Sequence, residues 1–230
     1  MHVQHSGDIW RDFPELVPGV LFAGGITPDV TVGPQVTRFN GIAEERLASA
    51  SEAEFPEIQA WRRAFSRMGL KPTQYRCASE SLLRRFRKEG ALPRIHPLID
   101  LCNAISLAFA IPVAIFDVSK ISEGIEVRHA SGSERYVTFS GETEHPAAQE
   151  VIYADSAGNA HARRWTNRQS GLSAVRDTTT TVLIVAEAMH GAASADIERL
   201  AAALAAELHG IWSLTPRTAV LSATSPRFEF

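Results

Sequence analysis

The residues best suited to chemistry sit together in one heptad of consecutive positions, Arg163-Arg164-Trp165-Thr166-Asn167-Arg168-Gln169. Arginine forks pair bidentately with phosphates or carboxylates, and an indole offers a face on which a base or an aromatic ring stacks. Asn167 and Gln169 add hydrogen-bonding groups that edge protection does not require, yet a charged edge strand with a Trp packed beneath it is the plain alternative. Glu187 closes an otherwise apolar run, Val182 to Ala188. On a strand it shares a side with Val185, and an acid after buried aliphatics must be solvated, paired or used. Asp117 poses the same question after Val113–Phe116, with a turn or cap role toward Ser119 and Lys120 as its reading. His96 and Asp100 stand four apart at a helix start, which is a metal-pair spacing. Without a third ligand, a hydrogen bond at helix entry is the simpler use.

Other chemistries lose their usual support. The chain has no G-x-S-x-G, H-E-x-x-H, P-loop or G-x-G-x-x-G motif, so lipase-like, zincin, nucleoside-triphosphatase and dinucleotide readings lack a signature. Cys77 and Cys102 are the only cysteines and read as buried thiols, with no metal and no cofactor expected. No long apolar run or leader-like series is written here, so no membrane contact is expected and cytoplasmic is the default location. The composition, 45% hydrophobic and 21% charged, suits a globular protein.

Charge is unevenly placed. Residues 1–60 sum to -6 and residues 95–230 to -5, whereas residues 61–94 carry ten Lys or Arg against Glu80 and Glu89, giving +8. That excess is what a polyanion site needs, and also what a solvated helix face can carry.

The elements that must position these residues follow from periodicity. Residues 14–39 read as β-rich, with a strand in the 20–26 stretch and turns over 28–34. A helix runs from Pro56 to about Met68, stopped by Gly69, and another from Glu80 to about Lys88 with Ser79 as its N-cap and Gly90 as its stop. A third starts at Pro97, whose missing N–H is one that a first turn leaves unpaired, and reaches Ala110. From Ile111 the period changes from 3.6 to 2, predicting strands at 113–116, 125–130, 135–139, 150–154, 161–165 and 180–188. The last helix is read over Ala195–His209, ended by Gly210, with a closing strand near Thr218–Ser222.

Pro93 to Asp117, which reads P-R-I-H-P-L-I-D-L-x-N-A-I-S-L-x-x-x-I-P-V-x-x-F-D, followed by Ile125-x-Val127-Arg128-His129-Ala130, closely resembles the B3/B4 tRNA-binding domain. That domain occurs in the bacterial phenylalanyl-tRNA synthetase β subunit, where it hydrolyses tRNA wrongly charged with tyrosine, and in freestanding proteins of about this length. The resemblance covers roughly residues 71–188. It implies an α+β fold, a single B3/B4-like domain over 1–230 with a β-sandwich core flanked by helices, and residues 189–230 as a C-terminal helix and strand extension. Asp100, Asn103, Pro112, Phe116, Asp117 and Arg128 match positions that define this scaffold.

The departures from the family pattern concern the pocket. Ala114 stands where the synthetase has a pocket histidine, and Arg164 to Arg168 replace its glycine-rich loop. Val185 aligns with the glutamate that recognises the tyrosine hydroxyl, while Glu187 lies two residues later on the same face. These differences point away from tyrosine and toward the freestanding branch.

The resemblance thus implies a tRNA-binding protein that deacylates mischarged tRNA in trans. Its alternative is a non-catalytic module for tRNA, an amino acid or a small aromatic metabolite. Glu187, Asn167 and Thr179 are the expected catalytic groups, orienting a water. Arg94, His96, Asn103, Ala114, Trp165, Arg168 and Gln169 are expected around the amino-acid moiety, and Arg76, Arg84, Arg85, Arg87, Lys88 and Arg164 on the tRNA backbone.

Overall fold

Alternation along one strand sets the architecture. In the computed structural model, which describes residues 1–230, β10 (Thr181–Ala188) pairs antiparallel with β2 (Val17–Gly24) on one side and β3 (Val113–Asp117) on the other, and β11 (Arg217–Val220) extends this four-stranded sheet beyond β2. Val182, Ile184, Ala186 and Ala188 point to one core, shared with helices α5 (Pro97–Phe109) and α6 (Ala193–Trp212). Leu183 and Val185 point to the other core, between this sheet and a second one. Period-two side chains buried on both faces are what a central strand requires.

The second sheet has six strands in the order β12 (Arg227–Glu229), β1 (His2–His5), β4 (Gly124–His129), β7 (Val151–Ala154), β8 (Ala160–Arg163), β9 (Arg168–Gln169). Val3, Ile125, Val127, Val151 and Tyr153 face the core shared with Val185. All pairings are antiparallel except β1 with β4, which is parallel. A two-stranded ribbon, β5 (Tyr136–Val137) and β6 (Thr143–Glu144), places Tyr136 over Ile152 and Ala160 on the outer face. The fold is α+β, two packed sheets flanked by helices, as the resemblance implied.

The helices around the sandwich are α1 (Gly7–Asp12), α2 (Gly33–Ser49), α3 (Pro56–Arg67) and α4 (Ala78–Glu89). Gly90 stops α4 at φ +75°, a left-handed position that favours glycine. Three readings are corrected. Residues 33–39 of the stretch expected to be β-rich belong to α2, whose first turn accommodates Pro34, and Val32, Val36, Phe39 and Ala43 recur at the helical spacing. Cys77, not Ser79, is the cap residue of α4, and Ser79 is buried inside the helix beside the Cys77 thiol. The last helix runs through Gly210 to Trp212, because the Trp212 indole N–H bonds Thr27 O at 2.9 Å and holds the extra turn. β1, α1 and β12 had no expectation at all. Cys77 and Cys102 are free and buried, and burial pushes the Cys77 thiol up to about 11. No helix is long and apolar enough to cross a membrane.

Two buried acids lock the turns of the six-stranded sheet. Glu134 accepts from the Ser131 and Gly132 N–H groups and from Arg128 at 2.6 Å. Burial alone would raise its pKa, but the Ser131 N–H and Arg128 overcome this and hold it at about 2. Asp155 is lowered as well: against the burial penalty it gains from His161, Asn159 and the Ser122 N–H. A folded pKa below the unfolded one stabilises fully above the unfolded value and is lost as pH falls through the folded one. The free energy of urea unfolding should therefore fall as the pH drops from roughly 4.5 to 2, with Glu134 supplying about 2–3 kcal/mol of the loss. Glu134→Gln should flatten that slope.

Candidate functional site

Glu187 lies on the β10 face that looks into the space between the sheets, and it is 1% exposed. Of the three fates open to it, the structure shows pairing. The Trp165 indole N–H lies 3.0 Å from both carboxylate oxygens, His5 Nε2 lies 2.7 Å from Oε1, and the Tyr153 hydroxyl donates to Oε2. Burial first and the adjacent carboxylate second raise the Tyr153 pKa well above 10, so the phenol stays protonated as a donor. A buried carboxylate with this many donors is compensated in the way an isolated one is not. Trp61 from α3 donates its indole N–H to the Glu187 carbonyl at 3.2 Å.

Trp165 is itself fully buried. Phe13 and Trp61 meet it edge-on at centroid distances of 4.7 and 5.1 Å, so the indole forms a wall rather than an open stacking face. Arg164 and Trp165 both have left-handed backbones, φ +45° and +57°. Around this wall is a cavity of about 60 Å³, lined by Trp165 to Gln169, by Ala114 and Val185 from the paired strands, and by Tyr153, Glu187 and Ala78. Asn167 lines it while its Nδ2 donates to Arg76 O at 2.7 Å, and the Thr166 carbonyl accepts the Ala78 N–H at 2.8 Å. These two bonds staple the loop to the start of α4. Gln169 donates to Ile115 O. Thr166 Oγ1 is buried without a partner, the one polar side-chain atom of this lining left in that state. Thr166 stands between Trp165 and Asn167 in the chain, and nothing in the sequence distinguished it from a loop residue.

The remaining expected site residues lie elsewhere. Thr179 donates to Asp117 Oδ2 at 2.7 Å and accepts the Arg176 N–H, outside the cavity lining. Asp117 also accepts the Ser119 N–H, the cap role read for it. Arg94, His96 and Asn103 line a separate hollow of about 440 Å³. His96 and Asp100 serve the helix entry: His96 Nδ1 accepts the Leu98 N–H and Asp100 Oδ1 the Ile95 N–H.

The basic segment is partly neutralised from within. Glu52 and Glu80 are each 1% exposed. Glu52 pairs with Arg84 and Arg87, Glu80 with Arg62 and Arg76, and each trio keeps one positive charge. Arg85 pairs with exposed Glu89, Lys88 has no partner carboxylate, and Arg164 sits 4.8 Å over the Tyr75 ring. Arg163 and Arg168 are occupied by Glu144, and Arg163 also by Glu150.

Two further clusters have the makings of a site but are spent structurally. Ser173 Oγ lies 2.8 Å from His161 Nδ1, and His161 Nε2 lies 3.2 Å from Asp155. This is the connectivity of a hydrolase triad, but Ser173 and His161 have no exposed surface for a substrate to reach. Glu57, His190 and Asp196 bring ligand atoms within 4.8 Å of one another. Arg46 forks onto Glu57 at 2.8 and 3.0 Å and Arg199 pairs with Asp196, so both carboxylates already hold cations.

Removing the Glu187 carboxylate strands three buried donors. Glu187→Ala should cost about 3–5 kcal/mol, lowering the thermal midpoint by roughly 10 °C or more for a chain of this size. Glu187→Gln, which keeps shape and one acceptor, should cost less. Differential scanning calorimetry reads both, and an unchanged midpoint in the Ala variant would refute the clamp.

Residues 60–204 match the family model described as the B3/4 domain. Among curated proteins, the β subunit of phenylalanine–tRNA ligase from Coxiella burnetii is 41% identical over 63 residues, which is 27% of this chain and 8% of that protein. The Nocardia farcinica β subunit is 34% identical over 77 residues, 34% of this chain and 9% of that protein. The chain thus spans about a tenth of the length of these relatives. An N-terminal fragment of the phenylalanyl-tRNA synthetase β-subunit from Pyrococcus horikoshii has 13% identity and a TM-score of 0.48, covering 94% of this chain and 50% of that one.

Proposed function

The chain belongs to the B3/4 domain family, and from that premise we propose that it binds tRNA and hydrolyses the ester of mischarged aminoacyl-tRNA in trans, with the amino-acid moiety in the cavity beside Trp165. One juxtaposition carries the reading. Ala78, the first residue of basic α4, lines the same cavity as Thr166 and Asn167. A surface suited to a phosphate backbone therefore ends at the rim of a pocket that contains a free hydroxyl. The sequence likeness to phenylalanine–tRNA ligase β subunits supports tRNA as the partner.

In the hydrolysis a water attacks the ester carbonyl carbon, the bond to the ribose oxygen breaks, and the water's proton leaves with that oxygen as a hydroxyl. Thr166 Oγ1 and the Asn167 side-chain oxygen orient the water, with no protein nucleophile needed. Glu187 acts as a positioning residue that holds Trp165 and Tyr153 in the wall. A volume of about 60 Å³ is well short of the roughly 150 Å³ of a cavity that takes up a benzene ring. The pocket therefore favours small side chains over aromatic ones.

A second reading rests on the same carboxylate. With Glu187 filled by this chain's own donors, the cavity has no free base, as suits a module that holds tRNA or an amino acid without turnover.

Filter retention at varied salt, followed by amino-acid release from a panel of mischarged tRNAs, separates the two. The expected result is release for alanine- or serine-sized residues and little for tyrosine; binding with no release across the panel supports the module. Arg85→Glu with Lys88→Glu spares the buried Glu52 and Glu80 trios. It should reduce the salt-dependence slope of tRNA binding by about two and leave thermal stability near wild type.

A further inference from the structure

The 440 Å³ hollow lies between the N-terminal turns of α2 and the segment that leads into α5. α2 opens without a side-chain cap on Val32, Pro34 has no N–H, and the Gly33 and Gln35 amides find no acceptor in the chain. A bare helix start alone marks nothing, but a second group faces the same space. His96 is 3% exposed and lines the hollow. Its Nδ1 accepts the Leu98 N–H at 3.2 Å, and a ring nitrogen that accepts carries no proton, so the neutral imidazole has its proton on Nε2. That Nε2 is buried and unpartnered, and an orphaned buried donor calls for an acceptor. Burial lowers the His96 pKa, which keeps the ring neutral. Arg94 stands exposed on the same lining and pairs with no carboxylate, while Asp100 has one oxygen committed to the Ile95 N–H.

We propose that this hollow is an oxyanion site, taking the phosphate or carboxylate group of a small ligand between Arg94, the His96 Nε2–H and the Gly33 amide at the start of α2. Two helix starts and a guanidinium supply the attraction. Thr37, Asn40 and Asn103 offer polar contacts to the rest of the ligand, and Val36 and Leu92 apolar ones. The volume lies within the range of small-molecule sites. The hollow is lined by the first half of α5, as far as Ala104, and shares no lining residue with the Trp165 cavity, whose Pro112 lies beyond that helix. The site stands apart from the hydrolytic reading.

Amide NMR titration with inorganic phosphate, and separately with acetate, tests it. Saturable shifts at Gly33 are expected in at least one arm, and the responding arm gives the class of the group. His96→Asn keeps a capping side chain while removing the Nε2 donor, and Arg94→Ala removes an exposed cation. Each should weaken binding about fivefold or more and leave distant resonances in place. Absence of saturable shifts in both arms up to about 20 mM, or wild-type affinity in both variants, overturns the proposal.

Discussion

The Glu187 carboxylate is the point on which the inner architecture turns. It sits between two sheets, where an unpaired charge would cost more than the fold could supply. Its three donors come from three parts of the chain: His5 at the end of β1, Tyr153 in β7 and Trp165 in the loop before β9. The same acid therefore joins the four-stranded sheet to the six-stranded one and sets the position of the arginine-tryptophan loop. Such a polar node gains little net energy over a well-packed apolar core, and its value lies in selecting one arrangement. The cavity wall, the seat of α3 through Trp61, and the rim at α4 all inherit their positions from it.

Much of this was legible at the level of pattern. Alternation over Val182–Ala188 put Glu187 and Val185 on one side, and the structure keeps them there. The partners were not legible, since His5 lies 182 residues away and a contact of that separation leaves no local mark. α2 was missed because Pro28, Pro34 and the intervening glycine resemble turn chemistry, although Pro34 belongs in a first helical turn. Gly210 failed as a stop because tertiary anchoring of Trp212 outweighs a propensity cost of about 1 kcal/mol. The arginine-rich heptad drew attention through its arginines, whereas its free polar atom is the hydroxyl of Thr166.

The basic stretch illustrates the difference between formal and working charge. Its local excess is real in the sequence, but Glu52 and Glu80 lie beneath it as internal counterions. Each buried acid is shared by two guanidiniums, which fixes those forks in place and leaves them half-neutralised. The surface is thus a rigid array of reduced charge and not a mobile brush. An ordered array favours registry with a patterned anion over indiscriminate attraction.

Arg164 and Trp165 occupy left-handed backbone in succession, two residue types that gain nothing from it. Each such residue costs about 1–2 kcal/mol, and the cost is met during folding, through the indole bond to Glu187 and the staples to Arg76 and Ala78. A ligand arriving at this loop meets a surface already in its final shape. Association there should accordingly be limited by encounter and desolvation, with no slow loop-closing phase, and discrimination among ligands should appear in how fast they leave.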